Sequence, residues 1–260
     1  MRLVHIIFVA FVFTFCQGQS IKHTHTDKPH NQKTTKINKV KDYYDSNKGN
    51  EQASKSIGTV SKGTLENGKL MPFEGKNFQY FDTLSYLDGR AFTHGNVKKT
   101  MIDTYQELAK EYQDRLFFVM ECSHKHGGQL FPHRTHQNGL SVDFMMPLVK
   151  DGKDYYELDT IGQQHYWLEF DNEGKYSKDT SIAIDFNLVA RHILLLDKRA
   201  RNHELKITKV IINTDLKDEL FATTYGQQLK NSGIYIVKNL SPLINKLHDD
   251  HYHIDFGIIK

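Results

Sequence analysis

The sequence predicts an α+β domain, and three observations carry that prediction. The chain has 260 residues, 38% of them hydrophobic and 12% aromatic, which suffices for one sizeable core and excludes a fully disordered or collagen-like chain. Segments of helical period and of strand type follow one another without the regular alternation of a doubly wound sheet. No internal repeat divides the chain.

The first twenty residues, MRLVHIIFVAFVFTFCQGQS, hold one Arg and then an apolar run from Leu3 to Phe15 that only His5 interrupts. Thirteen residues are short for a bilayer span and suit the apolar stretch of a secretory signal, so residues 1–20 are expected to direct export. Acylation at Cys16 is the minor alternative, weakened by the bulky Phe15 before it. With the signal removed only Cys122 remains, which excludes an intrachain disulfide and reads as a small buried hydrophobe. Residues 21–56 hold eight Lys against four acids, together with His23, His25 and His30, and keep no sustained period. They read as a flexible polar linker whose charge favours a membrane or wall surface. The body, residues 57–260, carries a formal charge of −2, so the pI near 8.6 is no footprint for nucleic acid.

Within the body, Gly58, Gly63 and Gly68 punctuate a loop-rich start. Val97 to Tyr112 then repeats Val97, Met101, Tyr105, Leu108 and Tyr112 at helical spacing. Leu116 to Met120 is a short strand that Gly127 and Gly128 close off. After an Asn138-Gly139 turn signal, Leu140 and Val142 alternate with Ser141 and Asp143 as a half-buried strand would. Tyr155 to Phe170 suits a hairpin or a long excursion. Asp185 is placed to cap a helix over 186–201 whose last turn is basic. A strand over 207–212, a short helix over 215–223, apolar runs at 234–237 and 243–247, and a strand from about Asp250 to Ile258 complete the chain.

Seven of the fifteen His fall in two windows, a concentration that points to chemistry rather than chance. In the second, HDDHYHIDFG, residues two apart on a strand share a face, so His251, His253 and Asp255 point one way while Tyr252, Ile254 and Phe256 point into a core. His248 approaches from the turn before. In the first window, SHKHGGQLFPHRTHQNGLSVDF, His124, His126, His133 and His136 precede Asp143. His136 and Asp143 would stand roughly 10.5 Å apart along a helix, too far for one ion, whereas the Asn138-Gly139 turn brings them together. Two His and one Asp make a catalytic zinc set with a position left for water, and equally an iron facial triad. HExxH, GxSxG, phosphate-loop and CxxC motifs are all lacking.

HRTHQNGLSVDF and HDDHYHIDF resemble the two signature segments of the penicillin-insensitive murein endopeptidases, in the wider group of lysostaphin-type, D-Ala-D-Ala and hedgehog-like zinc domains. Ser56-Ile57-Gly58, Phe92-Thr93-His94-Gly95 and Gly127-Gly128 fall where that family has similar segments, so the resemblance runs from about residue 56 to 257. It implies a mainly antiparallel central sheet flanked by helices and carrying a zinc site. His136, Asp143 and His253 would be the zinc ligands, with His133 as a further His at the metal. His251 would be the catalytic histidine, and His248 a second one that helps hold developing negative charge. The implied substrate is the peptide cross-link of peptidoglycan, and the implied place is the periplasm or outer membrane. A zinc-stabilised wall-binding domain without turnover is the alternative. The chain departs from the family where an Asp, two residues and a His are expected, since it reads Asp185-Phe-Asn-Leu188. Residues 150–179 have little to match.

Overall fold

The computed structural model describes residues 29–259. Its helices are α1 (Pro29–Asn47), α2 (Thr83–Leu87), α3 (Gly95–Glu111), α4 (Phe186–Arg201), α5 (Lys217–Ala222), α6 (Thr224–Asn231) and α7 (Pro242–Lys246). The expected signal over residues 1–20, the Cys16 alternative, and His23 and His25 lie outside the described residues. Among those described, no helix is long and apolar enough to cross a membrane.

The central sheet has six strands in the order Leu205–Ile211, His251–Ile258, Ser141–Met145, Phe117–Val119, Phe78–Tyr80 and Glu74–Gly75. Neighbours are antiparallel except Phe78–Tyr80 with Phe117–Val119. Alternation along His251–Ile258 sorts its side chains as expected, and both faces are buried through Phe256. On one face Tyr252 stacks on Phe144 with ring centroids 5.5 Å apart, and α3 and α4 cover them through Tyr105 and His192. The other face carries His251, His253 and Asp255.

Asp185 caps α4 by accepting from Leu188 N at 2.9 Å, and Leu188 itself is buried in the core. His192 sits mid-helix with no solvent. Burial pushes it down to about 3, and its Nδ1 takes a hydrogen bond from the Tyr252 hydroxyl, which marks it as a neutral core histidine. A second, four-stranded antiparallel sheet, ordered Lys153–Tyr155, Leu148–Lys150, Asp179–Ile184 and Lys175–Tyr176, grows out of the chain after Ser141–Met145. The Tyr155–Phe170 segment is the excursion rather than a hairpin. It carries a 3-10 turn, Gly162–Trp167, back to the central sheet.

The flexible linker over 21–56 needs correction in its described part. Val40, Tyr43 and Tyr44 recur at i, i+3 and i+4 of α1 and give it a narrow apolar stripe. Val40 is 9% exposed, and the Tyr43 ring meets that of Tyr86 in α2 nearly edge-on at 5.7 Å. The first strand, Lys55–Thr59, also begins inside this range and pairs antiparallel with Lys62–Glu66.

Candidate metal and catalytic site

Strand register places the first pair of groups. His253 lies directly across the ladder from Asp143, so their side chains leave the same face, and His253 Nδ1 is 2.7 Å from Asp143 Oδ1. His136 reaches the same point from the preceding loop. Its backbone is left-handed, with φ +67°, which a non-glycine residue adopts only at a cost of order 1–3 kcal/mol. The ring is held by an Nδ1–H bond to the carbonyl of Cys122. The turn that follows depends on Gly139, at φ +76°, where a Cβ would lie 2.8 Å from His94 N. His133 completes the group. Ligating atoms of His133, His136 and Asp143 all lie within 4.8 Å of one another.

Tracing the protons tests whether these residues fit a metal. His136 spends its N–H on a carbonyl, so Nε2 carries the lone pair when the ring is neutral. His253 Nε2 is 2.7 Å from Asp255 Oδ1, and His133 Nε2 is 2.6 Å from Glu121 Oε2. Those carboxylates take the ring N–H groups and leave Nδ1 of each as a lone pair. With all three rings neutral, three unprotonated nitrogens face the buried Asp143 carboxylate, whose Oδ2 has no hydrogen-bond partner. His136 Nε2 stands 3.1 Å from His253 Nδ1 and 3.3 Å from Asp143 Oδ2, and His133 Nδ1 stands 3.5 Å from that same oxygen. Atoms about 2.0–2.1 Å from a shared tetrahedral ion lie roughly 3.3 Å apart. Converging lone pairs repel unless a cation lies among them. A proton on His253 does part of that work: burial opposes its charge, but Asp255 and Asp143 together push the ring up to about 9. Asp143 is held well below the usual carboxylate range, because His136 and His253 outweigh its burial. The donor set and spacings fit a divalent metal.

Beside this group lies a second pair of rings. His251 donates Nδ1–H to Asp250 Oδ1 at 2.8 Å, which leaves Nε2 free. Burial works to lower its pKa, but Asp250 outweighs burial and raises it. The His248 ring is 5.0 Å away, centroid to centroid, and gives its Nδ1–H to the Ile244 carbonyl at 2.6 Å. Burial, aided by His251, pushes His248 down to about 4. At neutral pH it therefore presents Nε2 as an acceptor, a poorer fit to stabilising negative charge than to receiving a hydrogen bond. Two adjacent imidazoles with pKa values driven apart are arranged for acid–base work.

Each of the six residues singled out in the sequence thus reaches this cluster, whereas others in the same windows do not. His124 sits 3.3 Å from the Gly89 carbonyl, and His126 is exposed. Cys122 is buried, and burial pushes its thiol up, away from a nucleophile's range. Sequence reasoning missed Glu121 and Arg90. Arg90 clamps Glu121 through Nε at 2.5 Å and a second nitrogen at 2.6 Å, and Ser85 Oγ adds a bond at 3.0 Å. Burial would raise Glu121, but His133 and Arg90 bring it to about 2, so it stays ionised to orient His133. No periodicity marks Glu121. Asp250 was the more findable, since it stands directly before the HxH strand. A groove of about 490 Å³ is lined by Phe170, Asn213, Lys246 and Asp249, and none of the cluster's six residues lines it.

No curated protein matches the chain. A family model does: that of penicillin-insensitive murein endopeptidases matches residues 56–257, which takes in every residue of the cluster. The chain belongs to the penicillin-insensitive murein endopeptidase family.

Proposed function

We propose that the protein is an exported zinc metallopeptidase that hydrolyses amide bonds in peptidoglycan cross-links. One observation carries the reading: lone pairs of His136, His253 and His133 converge on the Asp143 carboxylate beside a histidine whose Nε2 is free. His136, Asp143 and His253 would hold the zinc, with His133 as a further ligand. When bound, zinc supplies a Lewis acid for the scissile carbonyl and brings the pKa of a water to near 7. His251 takes the proton of the attacking water at Nε2 and returns it to the leaving amine, with Asp250 fixing its tautomer and steadying its charge. His248 Nε2 accepts a hydrogen bond from water or substrate. The apolar segment within residues 1–20 supports export, to the periplasm or outer membrane.

The test is digestion of purified cross-linked muropeptides by the zinc-loaded protein, with mass spectrometry of the products. Close to one zinc per chain is expected in the wild type, and most of it should be lost in His136→Ala, Asp143→Ala and His253→Ala. Metal analysis that found no zinc in the wild type, or full zinc in all three variants, would defeat the assignment. Binding of muropeptide without cleavage would favour a wall-binding domain instead.

A further inference from the structure

Tyr166 lies on the 3-10 turn Gly162–Trp167. Its neighbours point opposite ways: Trp167 is 82% exposed, while His165 is buried with ring nitrogens 3.0 Å from the Leu158 carbonyl and 3.2 Å from that of Asp250. The turn is therefore fastened to the residue that orients His251. Tyr166 packs its ring at 89° to that of His251 with centroids 5.5 Å apart, and at 81° to Phe81 at 5.8 Å. Its hydroxyl is buried and has no hydrogen-bond partner. An unsatisfied buried hydroxyl costs of order 1–3 kcal/mol, which is a reason to look for what satisfies it.

Its surroundings narrow the answer. Burial, reinforced by the carboxylates of Glu121, Asp143 and Asp250, holds the phenol well above its ordinary pKa, so it remains an O–H donor at any working pH. Nearly everything else turned to the site is an acceptor. His133, His136, His248, His251 and His253 each give an N–H to Glu121, the Cys122 carbonyl, the Ile244 carbonyl, Asp250 or Asp255. With these rings neutral, the Tyr166 O–H is, among the described residues of the cluster, the buried donor left uncommitted. Amide hydrolysis builds negative charge on the carbonyl oxygen, and a preorganised donor aimed at that oxygen lowers the barrier.

We propose that Tyr166 is a catalytic residue whose hydroxyl donates a hydrogen bond to the carbonyl oxygen of the scissile amide and tightens as that oxygen becomes a tetrahedral oxyanion. This rests on the amide-hydrolase reading of the same site. The phenol keeps its proton throughout. The new C–O bond forms from water, whose proton passes to His251, and the C–N bond breaks as that proton reaches the amine.

The decisive variant is Tyr166→Phe, which removes one oxygen and keeps the ring against His251. Zinc content should match the wild type and the thermal midpoint should be no lower, KM should stay within a few-fold, and kcat should fall roughly 10²–10³-fold, the usual loss for one oxyanion donor. A second readout needs no turnover. A phosphinate isostere of whichever cross-link amide the wild type cuts mimics the tetrahedral oxyanion, and calorimetry should find its affinity weakened by a similar factor in the variant. Unchanged kcat and unchanged phosphinate affinity in a folded variant would overturn the assignment. Loss of zinc or a lowered midpoint together with lost activity would also overturn it, by giving the hydroxyl a structural role. A wild type that cut no muropeptide would instead defeat the hydrolase reading, and the role of Tyr166 with it.

Discussion

At the scale of single residues, His251 and His253 share a strand face but differ in what their rings face. His253 is wedged between Asp143 and Asp255, whereas His251 has one carboxylate partner and one free nitrogen. His251→Ala should therefore keep near-stoichiometric zinc and the fold while hydrolysis drops roughly 10²-fold or more, the usual scale for a positioned acid or base. Zinc lost from His251→Ala but retained in His253→Ala would reverse the two roles. Away from the site, Asp159 is 1% exposed and burial pushes it up to about 7, with Arg115 only partly offsetting that. Its raised pKa means the native state holds a proton that the unfolded chain releases near pH 4. Stability should thus be greatest below about pH 4 for this group and decline as pH rises to about 7, by at most on the order of 4 kcal/mol. Asp159→Asn, neutral in both states, should flatten that stretch of a urea-midpoint profile. An unchanged slope would show that Asp159 is ionised in the fold.

At the scale of elements, α1 is where the expected tether and the structure part company. Tyr43 of α1 packs on Tyr86 of α2, and α2 supplies Ser85 to Glu121, which orients His133. A chain beginning at Lys48 should unfold at lower urea, by roughly 2–4 kcal/mol for the lost Val40, Tyr43 and Tyr44 burial, and bind metal less tightly. A tether would leave both unchanged. The stripe of α1 is three residues wide in a run of Lys, Thr and Asn, too weak a period to read without knowing what it packs on. By contrast α4 and the His251–Ile258 strand are legible because each has a single strong period and, for α4, a capping Asp. The Asn138-Gly139 turn is legible for the same local reason. Glu121, Arg90 and Tyr166 are not, since they meet the histidines only through pairings between segments far apart in sequence. Register works the same way: that His253 stands opposite Asp143 follows from the sheet, not from either window.

At the scale of the whole molecule, the cluster is built on an inner strand of the central sheet. His251–Ile258 is paired on both edges, with Leu205–Ile211 and Ser141–Met145, and its other face is the apolar layer under α3 and α4. His253 and Asp143 face each other across the strand pairing and cannot separate without unzipping it, so their separation should carry nearly the free energy of global unfolding. A metal held by the native state alone, as the proposed function requires, would add to the stability of the entire body. In urea, zinc release followed with a chromogenic chelator should coincide with the loss of far-UV circular dichroism. Free zinc at about 100 times its dissociation constant should add about 2.7 kcal/mol to unfolding. His136→Ala should lose that zinc-dependent gain, since its ring supplies one of the converging lone pairs. Zinc released well before the backbone transition would mean that the site opens as a local unit, in which case the paired inner strand is not what holds it closed.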